Sequence, residues 1–133
     1  MMSIAGWKVA QAELAQASSD TILGSTATTA SVSVTGSASS AVNTAGDQDW
    51  WKVTLSAGTT YTFKLNAGTG STLDAYLRLL NSSGTQVGVN NDAATGTKNA
   101  QIMVKATVSG TYYLSAQGYN STTGAYALSV AAT

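Results

Sequence analysis

The sequence predicts an all-β fold: an antiparallel, jelly-roll-like β-sandwich of about eight strands, preceded by a short N-terminal helix or linker. Three observations carry this. Apolar residues alternate with polar ones in short runs along most of the chain, the pattern of strands with one buried face. Glycine, serine, asparagine or aspartate breaks the pattern every eight to twelve residues, the spacing of a sandwich or jelly roll. No fixed repeat period exists, which excludes a solenoid.

Residues 1–19 are expected to form a linker or short helix, and residues 20–133 the sandwich. Positions 4–17 have helix-favouring composition, but Ile4, Trp7, Val9 and Leu14 make no continuous helical stripe. Ala15-Gln16-Ala17 imitates a signal-cleavage site. Lys8, Gln11 and Glu13 interrupt the apolar stretch such a leader needs, so a signal peptide is not expected. Small polar residues at 18–29 read as a linker or extended segment. Val32 and Val34 then open the alternation, and a weaker strand follows from Ala38 to Asn43.

The central stretch is the most informative. Residues 46–66 read GDQDWWKVTLSAGTTYTFKLN, with Trp51, Val53 and Leu55 on one side of the first run. Tyr61, Phe63 and Leu65 line one side of the second. A Ser-Ala-Gly turn joins them, and the pattern predicts a paired antiparallel hairpin with Asp47 and Asp49 at its mouth. Next, LDAYLRLLN puts Ala75, Leu77 and Leu79 opposite Tyr76, Arg78 and Leu80, and Asn81 to Gly84 form a turn. Gln86–Val89 is a strand, and Asn90 to Asn99 a polar loop. Ile102, Val104 and Ala106 mark the next strand, Tyr112, Leu114 and Ala116 another, and Tyr126, Leu128 and Val130 the last.

Composition excludes several functions. The chain of 133 residues is one domain, with only 9% charged residues and six acids balancing six bases. No basic field exists for nucleic acid and no polybasic patch for a membrane surface. No apolar run is long enough for a transmembrane helix. Without cysteine there is no disulfide or thiol nucleophile; without histidine there is no Ser-His-Asp triad and no imidazole metal site. Any metal must be held by oxygen, which points to calcium.

The candidate oxygen ligands are Asp47, Asp49, Asp74, Asn90, Asn91 and Asp92, each in or beside a loop that a sandwich gathers at one end. The plainer reading makes Asp47 and Asp92 turn-forming residues and Asp49 and Asp74 strand-end anchors. Trp50, Tyr76, Tyr113 and Tyr119 fall opposite the alternating core set or in loops. Of these, Trp50 and Tyr119 are the candidate ligand-binding aromatics; covering the second face of a sheet is the alternative. Asp49 and Asp74 are the only acids at strand ends available as a pair for glycoside hydrolysis, and no sugar cleft is indicated. Asn81-Ser-Ser and Asn120-Ser-Thr match glycosylation acceptors, a match read as incidental.

Taken in order, GDQDWWKVTLSAGTTYTF, STLDAYLRLLNSSGT, NND and SGTYYLSAQGYNSTTGAYALSV resemble the bacterial pre-peptidase C-terminal domain from about Asp20 to Val130. The resemblance implies a non-catalytic sandwich appended to a protease or other exoprotein and secreted with it. It implies calcium binding that aids folding, stability or secretion, or else binding of a collagen-like protein or polysaccharide. A structural spacer in an adhesin-like exoprotein is a third reading. Two positions depart from the pattern: Asn91 stands where a carboxylate is expected, and Ala75 where proline is common.

Overall fold

The computed structural model describes residues 22–91 and 98–133. The expected helix within 4–17, the boundary at Asp20 and the candidate ligand Asp92 lie outside them. Eight strands are present among the described residues: β1 (Ser37–Val42), β2 (Gln48–Leu55), β3 (Thr60–Ala67), β4 (Ala75–Leu80), β5 (Gln86–Asn90), β6 (Ala100–Lys105), β7 (Gly110–Gly118) and β8 (Gly124–Ala132). They form two four-stranded antiparallel sheets, ordered β1-β8-β3-β6 and β2-β7-β4-β5. Four of the pairings nest inside one another (β4 with β5, β3 with β6, β2 with β7, β1 with β8), the arrangement of a jelly roll.

The period-two pattern sets which side chains meet between the sheets. Trp51, Val53 and Leu55 from β2, Leu77 and Leu79 from β4 and Leu114 from β7 face Tyr61, Phe63 and Leu65 from β3 and Leu128 and Val130 from β8. Nearly all are fully buried, each contributing about 1.5–3 kcal/mol of hydrophobic stabilisation. Tyr112 packs against this core but is only partly buried.

The expected hairpin of residues 46–66 is not formed. Strands β2 and β3 lie in different sheets, β2 pairing with β7 and β3 with β6 and β8. The Ser56–Thr59 turn carries the chain from one sheet to the other. Gly58, at φ +88°, donates its N–H to Ala106 O, and Ala106 N–H returns a bond to Thr59 O. Both runs bury one whole face, and stacking the two faces across a sandwich satisfies that pattern as well as a hairpin would.

A strand at Val32–Val34 is also absent: only one parallel bridge, Ser31 to Lys52, forms there. The segment before it lies along the free edge of β2 instead. Leu23 O accepts from Trp50 N–H, Ala30 O from Lys52 N–H, and Lys52 O from Val32 N–H. Residues 24–28 loop over the outward face of the sheet, where Thr26 O accepts the Tyr113 hydroxyl and the Thr28 side chain is buried.

Candidate metal and ligand site at one end of the sandwich

Strand register gathers most of the predicted site residues at one end of the β2-β7-β4-β5 sheet. Gln48, which opens β2, stands opposite Gln117; Gly118, which closes β7, stands opposite Ala75, which opens β4; Leu77 stands opposite Asn90, which closes β5. Asp47 and Asp49, Asp74, and Asn90 with Asn91 therefore occupy three strand ends in one row. Neighbouring strands are about 4.8 Å apart, so Asp74 and the Asn90–Asn91 pair are adjacent. Asp47 and Asp49 lie two spacings from Asp74, across β7.

The residues differ in what they do. Asp49 shares the inward parity of Trp51, Val53 and Leu55 and is 1% exposed. Its Oδ2 accepts the Tyr126 hydroxyl at 2.7 Å, and Trp51 Nε1 donates to the same hydroxyl at 3.0 Å. Burial, and next the Asp49 carboxylate, push the Tyr126 pKa well above the ordinary tyrosine range. Asp49 is thus part of the core rather than a loop residue. Asn90 spans the two sheets: its Oδ1 accepts Gln101 N–H from β6 at 3.1 Å.

Asp74 and Asn91 are placed otherwise. Asp74 is anchored through its backbone, its N–H donating to Thr122 Oγ1 at 3.0 Å and its carbonyl accepting Tyr119 N–H at 2.8 Å. Asp74 Oδ1 and Asn91 Oδ1 are buried and have no hydrogen-bond partner among the described residues. Among the described residues no three acids converge at metal-binding distance. What the row offers a cation is a mixed set of carboxylate, amide and backbone oxygens, a donor set that calcium accepts.

Trp50 is not the exposed aromatic that alternation predicts. It does face outward, but it is 8% exposed and packs with Leu80 and Tyr113, its ring centroid 5.6 Å from that of Tyr113. Segment 24–28 and Gly84 cover it. Tyr113 is buried in the same cluster. Tyr119 is 38% exposed, in a short 3-10 turn (Tyr119–Ser121), and stacks on Tyr76 with ring centroids 6.0 Å apart and planes 8° apart. Sequence reasoning missed this pairing, whose signal is that Tyr76, the second residue of β4, stands opposite Gln117 beside the end of β7.

A cleft of about 390 Å³ opens at the other end of the sandwich, lined by residues such as Leu55, Leu79, Val104, Lys105 and Tyr112. No acid lines it. It therefore offers no carboxylate pair for acid–base chemistry, and the acidic strand ends lie away from it.

A jelly-roll sandwich of two four-stranded antiparallel sheets, with acids at its strand ends, defines the class: an all-β sandwich domain. Residues 47–118 match the family model of the bacterial pre-peptidase C-terminal domain. The chain belongs to this family of accessory domains found in secreted bacterial proteins. Its fold is similar to that of the pre-peptidase C-terminal domain of collagenase from Bacillus anthracis, with a TM-score of 0.61 and 15% identity over 76% of this chain and 92% of that one. A periplasmic inhibitor of g-type lysozyme from Aeromonas hydrophila is similar too, with a TM-score of 0.57 and 16% identity over 78% of this chain and 96% of that one. No curated protein matches the sequence. No described helix is long and apolar enough to cross a membrane.

Proposed function

We propose that this domain is a secreted accessory module whose fold is stabilised by calcium held at the strand ends, serving the folding, stability or export of a parent exoprotein. The observation that supports this reading is the pair Asp74 Oδ1 and Asn91 Oδ1, buried at adjacent strand ends and without hydrogen-bond partners among the described residues. Leaving buried oxygens unsatisfied costs about 1–3 kcal/mol each, and a hard cation relieves that cost. Asp74, Asn91 and Asp92, next in sequence, are the core ligands, and Asn90 contributes its remaining lone pair; Asp47, two strand spacings from Asp74, adds negative charge at the same end of the sheet. Asp49 orients the end of β2 from within the core. Bound calcium would supply charge neutralisation and a link between strand ends, and no chemical step.

With few carboxylates, the affinity belongs with weak extracellular sites, on the order of 10⁻⁴ M. One millimolar calcium then adds about 1.4 kcal/mol to stability, a rise of roughly 5 °C in melting temperature. Melting curves in calcium and in EDTA test this: Asp74→Asn should abolish the difference and Asn91→Asp should enlarge it. Coincident curves for the unaltered chain would end the reading.

A second reading, a binding module for extracellular protein or polysaccharide, is supported by the stacked Tyr76–Tyr119 pair with its exposed outer ring.

A further inference from the structure

The outward face of the β2-β7-β4-β5 sheet has a charge arrangement that the calcium reading leaves unused. Gln48, Trp50, Lys52 and Thr54 point outward from β2, and Thr111, Tyr113, Ser115 and Gln117 from β7. Tyr76, Arg78 and Leu80 point outward from β4. No acid is among these residues; Lys52 and Arg78 are both cations. A half-buried arginine in a sheet ordinarily finds a carboxylate. Arg78 instead donates from Nε to Gln86 Oε1 at 2.8 Å and from Nη1 to Gln48 Oε1 at 3.1 Å. Gln48 is held in turn by Trp50 Nε1 at 3.0 Å. Both acceptors are neutral, and Arg78 makes no ion pair with any described residue. Two amides thus fix the plane of the guanidinium, and its Nη2 donors have no hydrogen-bond partner within the described residues. A planar fork held in this way suits a carboxylate better than a point charge would.

Along β4 from Arg78 comes Tyr76, and stacked on Tyr76 is the exposed ring of Tyr119. We propose that this face binds an acidic polysaccharide, taking a uronate carboxylate on Arg78 and a sugar ring on Tyr119. The two contacts are on the order of 10 Å apart, from the strand rise between Tyr76 and Arg78 and the ring spacing. An oligosaccharide covers that span and a single sugar does not. Between them lies the half-buried amide of Gln117, its Oε1 held by the buried Ser115 hydroxyl at 2.9 Å, a polar group suited to sugar hydroxyls in place of the apolar pocket that a peptide side chain seeks. The inference rests on the binding-module reading and is independent of calcium.

Calorimetric titration of the intact chain with oligogalacturonate, its methyl ester, neutral cellohexaose and a collagen-like triple-helical peptide tests it. Oligogalacturonate should bind, at least tenfold more tightly than its ester, and more weakly as salt rises. Arg78→Gln should bind acid and ester equally, Arg78→Lys should keep only part of the preference, and Tyr119→Ala should weaken acid and ester alike. Movement of the Arg78 Nε resonance in the unaltered chain reports the contact without any substitution. Equal affinity for acid and ester, a still Arg78 resonance, or an unchanged preference in Arg78→Gln would overturn the inference. Binding of only the neutral glycan or the collagen-like peptide would overturn it while sparing the binding-module reading. Silence in all four titrations would remove both.

Discussion

Tyr126 and Asp49 join the two sheets through one hydrogen bond, 2.7 Å long, between residues 77 positions apart in sequence. The same hydroxyl accepts from Trp51, so β8 is tied twice to β2 across the core. Tyr126→Phe keeps the ring and removes both bonds, costing Asp49 one hydrogen bond and the buried Trp51 N–H its acceptor. It should lower stability by about 2–3 kcal/mol, measured by chemical denaturation.

The same tyrosine sets an alkaline limit. Its folded pKa is raised, so its contribution is complete below the unfolded tyrosine value near 10. Above that pH the unfolded chain releases the proton and the folded chain keeps it. Stability then falls by about 1.4 kcal/mol per pH unit for this one group. Tyr126→Phe should show a slope shallower by that amount between pH 10 and 12. Parallel slopes would mean that the hydroxyl ionises while the protein stays folded.

Trp50 should be a stability residue. Because it is buried with Leu80 and Tyr113, Trp50→Ala should cost about 3–5 kcal/mol. A melting temperature within a degree or two of the unaltered chain would contradict the packing described.

Residues 22–32 should be needed although they form no strand. They satisfy the N–H groups of Trp50 and Lys52 and cover the Trp50–Tyr113 cluster. A chain starting at Ser33 should lose cooperative melting or several kcal/mol relative to one starting at Thr21. Equal stability would show that the β2 edge does not need this cover.

Gly118 should tolerate no side chain. A Cβ there would collide with the Thr122 carbonyl oxygen, so Gly118→Ala must displace the Tyr119–Ser121 turn. The expected result is a lower melting temperature, by about 1–3 kcal/mol in stability, together with a changed near-ultraviolet tyrosine signal as Tyr119 leaves Tyr76. An unaltered spectrum would place the strain elsewhere.

The inward set of each strand was readable from alternation alone, since a strand with one buried face has no other way to satisfy its pattern. Parity even placed Asp49 with Trp51 and Val53, although its loop neighbours made it look like a ligand. Pairing was not readable: the Ser-Ala-Gly turn at 56–58 suits a hairpin as well as a crossing between sheets, and only distant partners decide. The burial of Trp50 was hidden for a related reason. Its cover comes from residues 22–31, a polar stretch without periodicity whose contribution is backbone carbonyls. The row of strand-end oxygens needed the register, which fixes Asp74 beside Asn90. That Arg78 pairs with two glutamine amides and with no acid among the described residues could be seen only from the strand register.

The nested pairing also dictates an order of events. Among the eight strands only β4 and β5 are both consecutive and paired; every other strand bonds to one far along the chain. As the polypeptide emerges from its N-terminal side during synthesis, β1, β2 and β3 appear before any partner exists for them. The tip at Asn81–Gly84 closes first, and the ribbon then zips outward, β6 onto β3, β7 onto β2 and β4, and β8 last between β1 and β3. Until β8 has emerged, the sheet β1-β8-β3-β6 lacks a central strand, and β1 stays apart from β3.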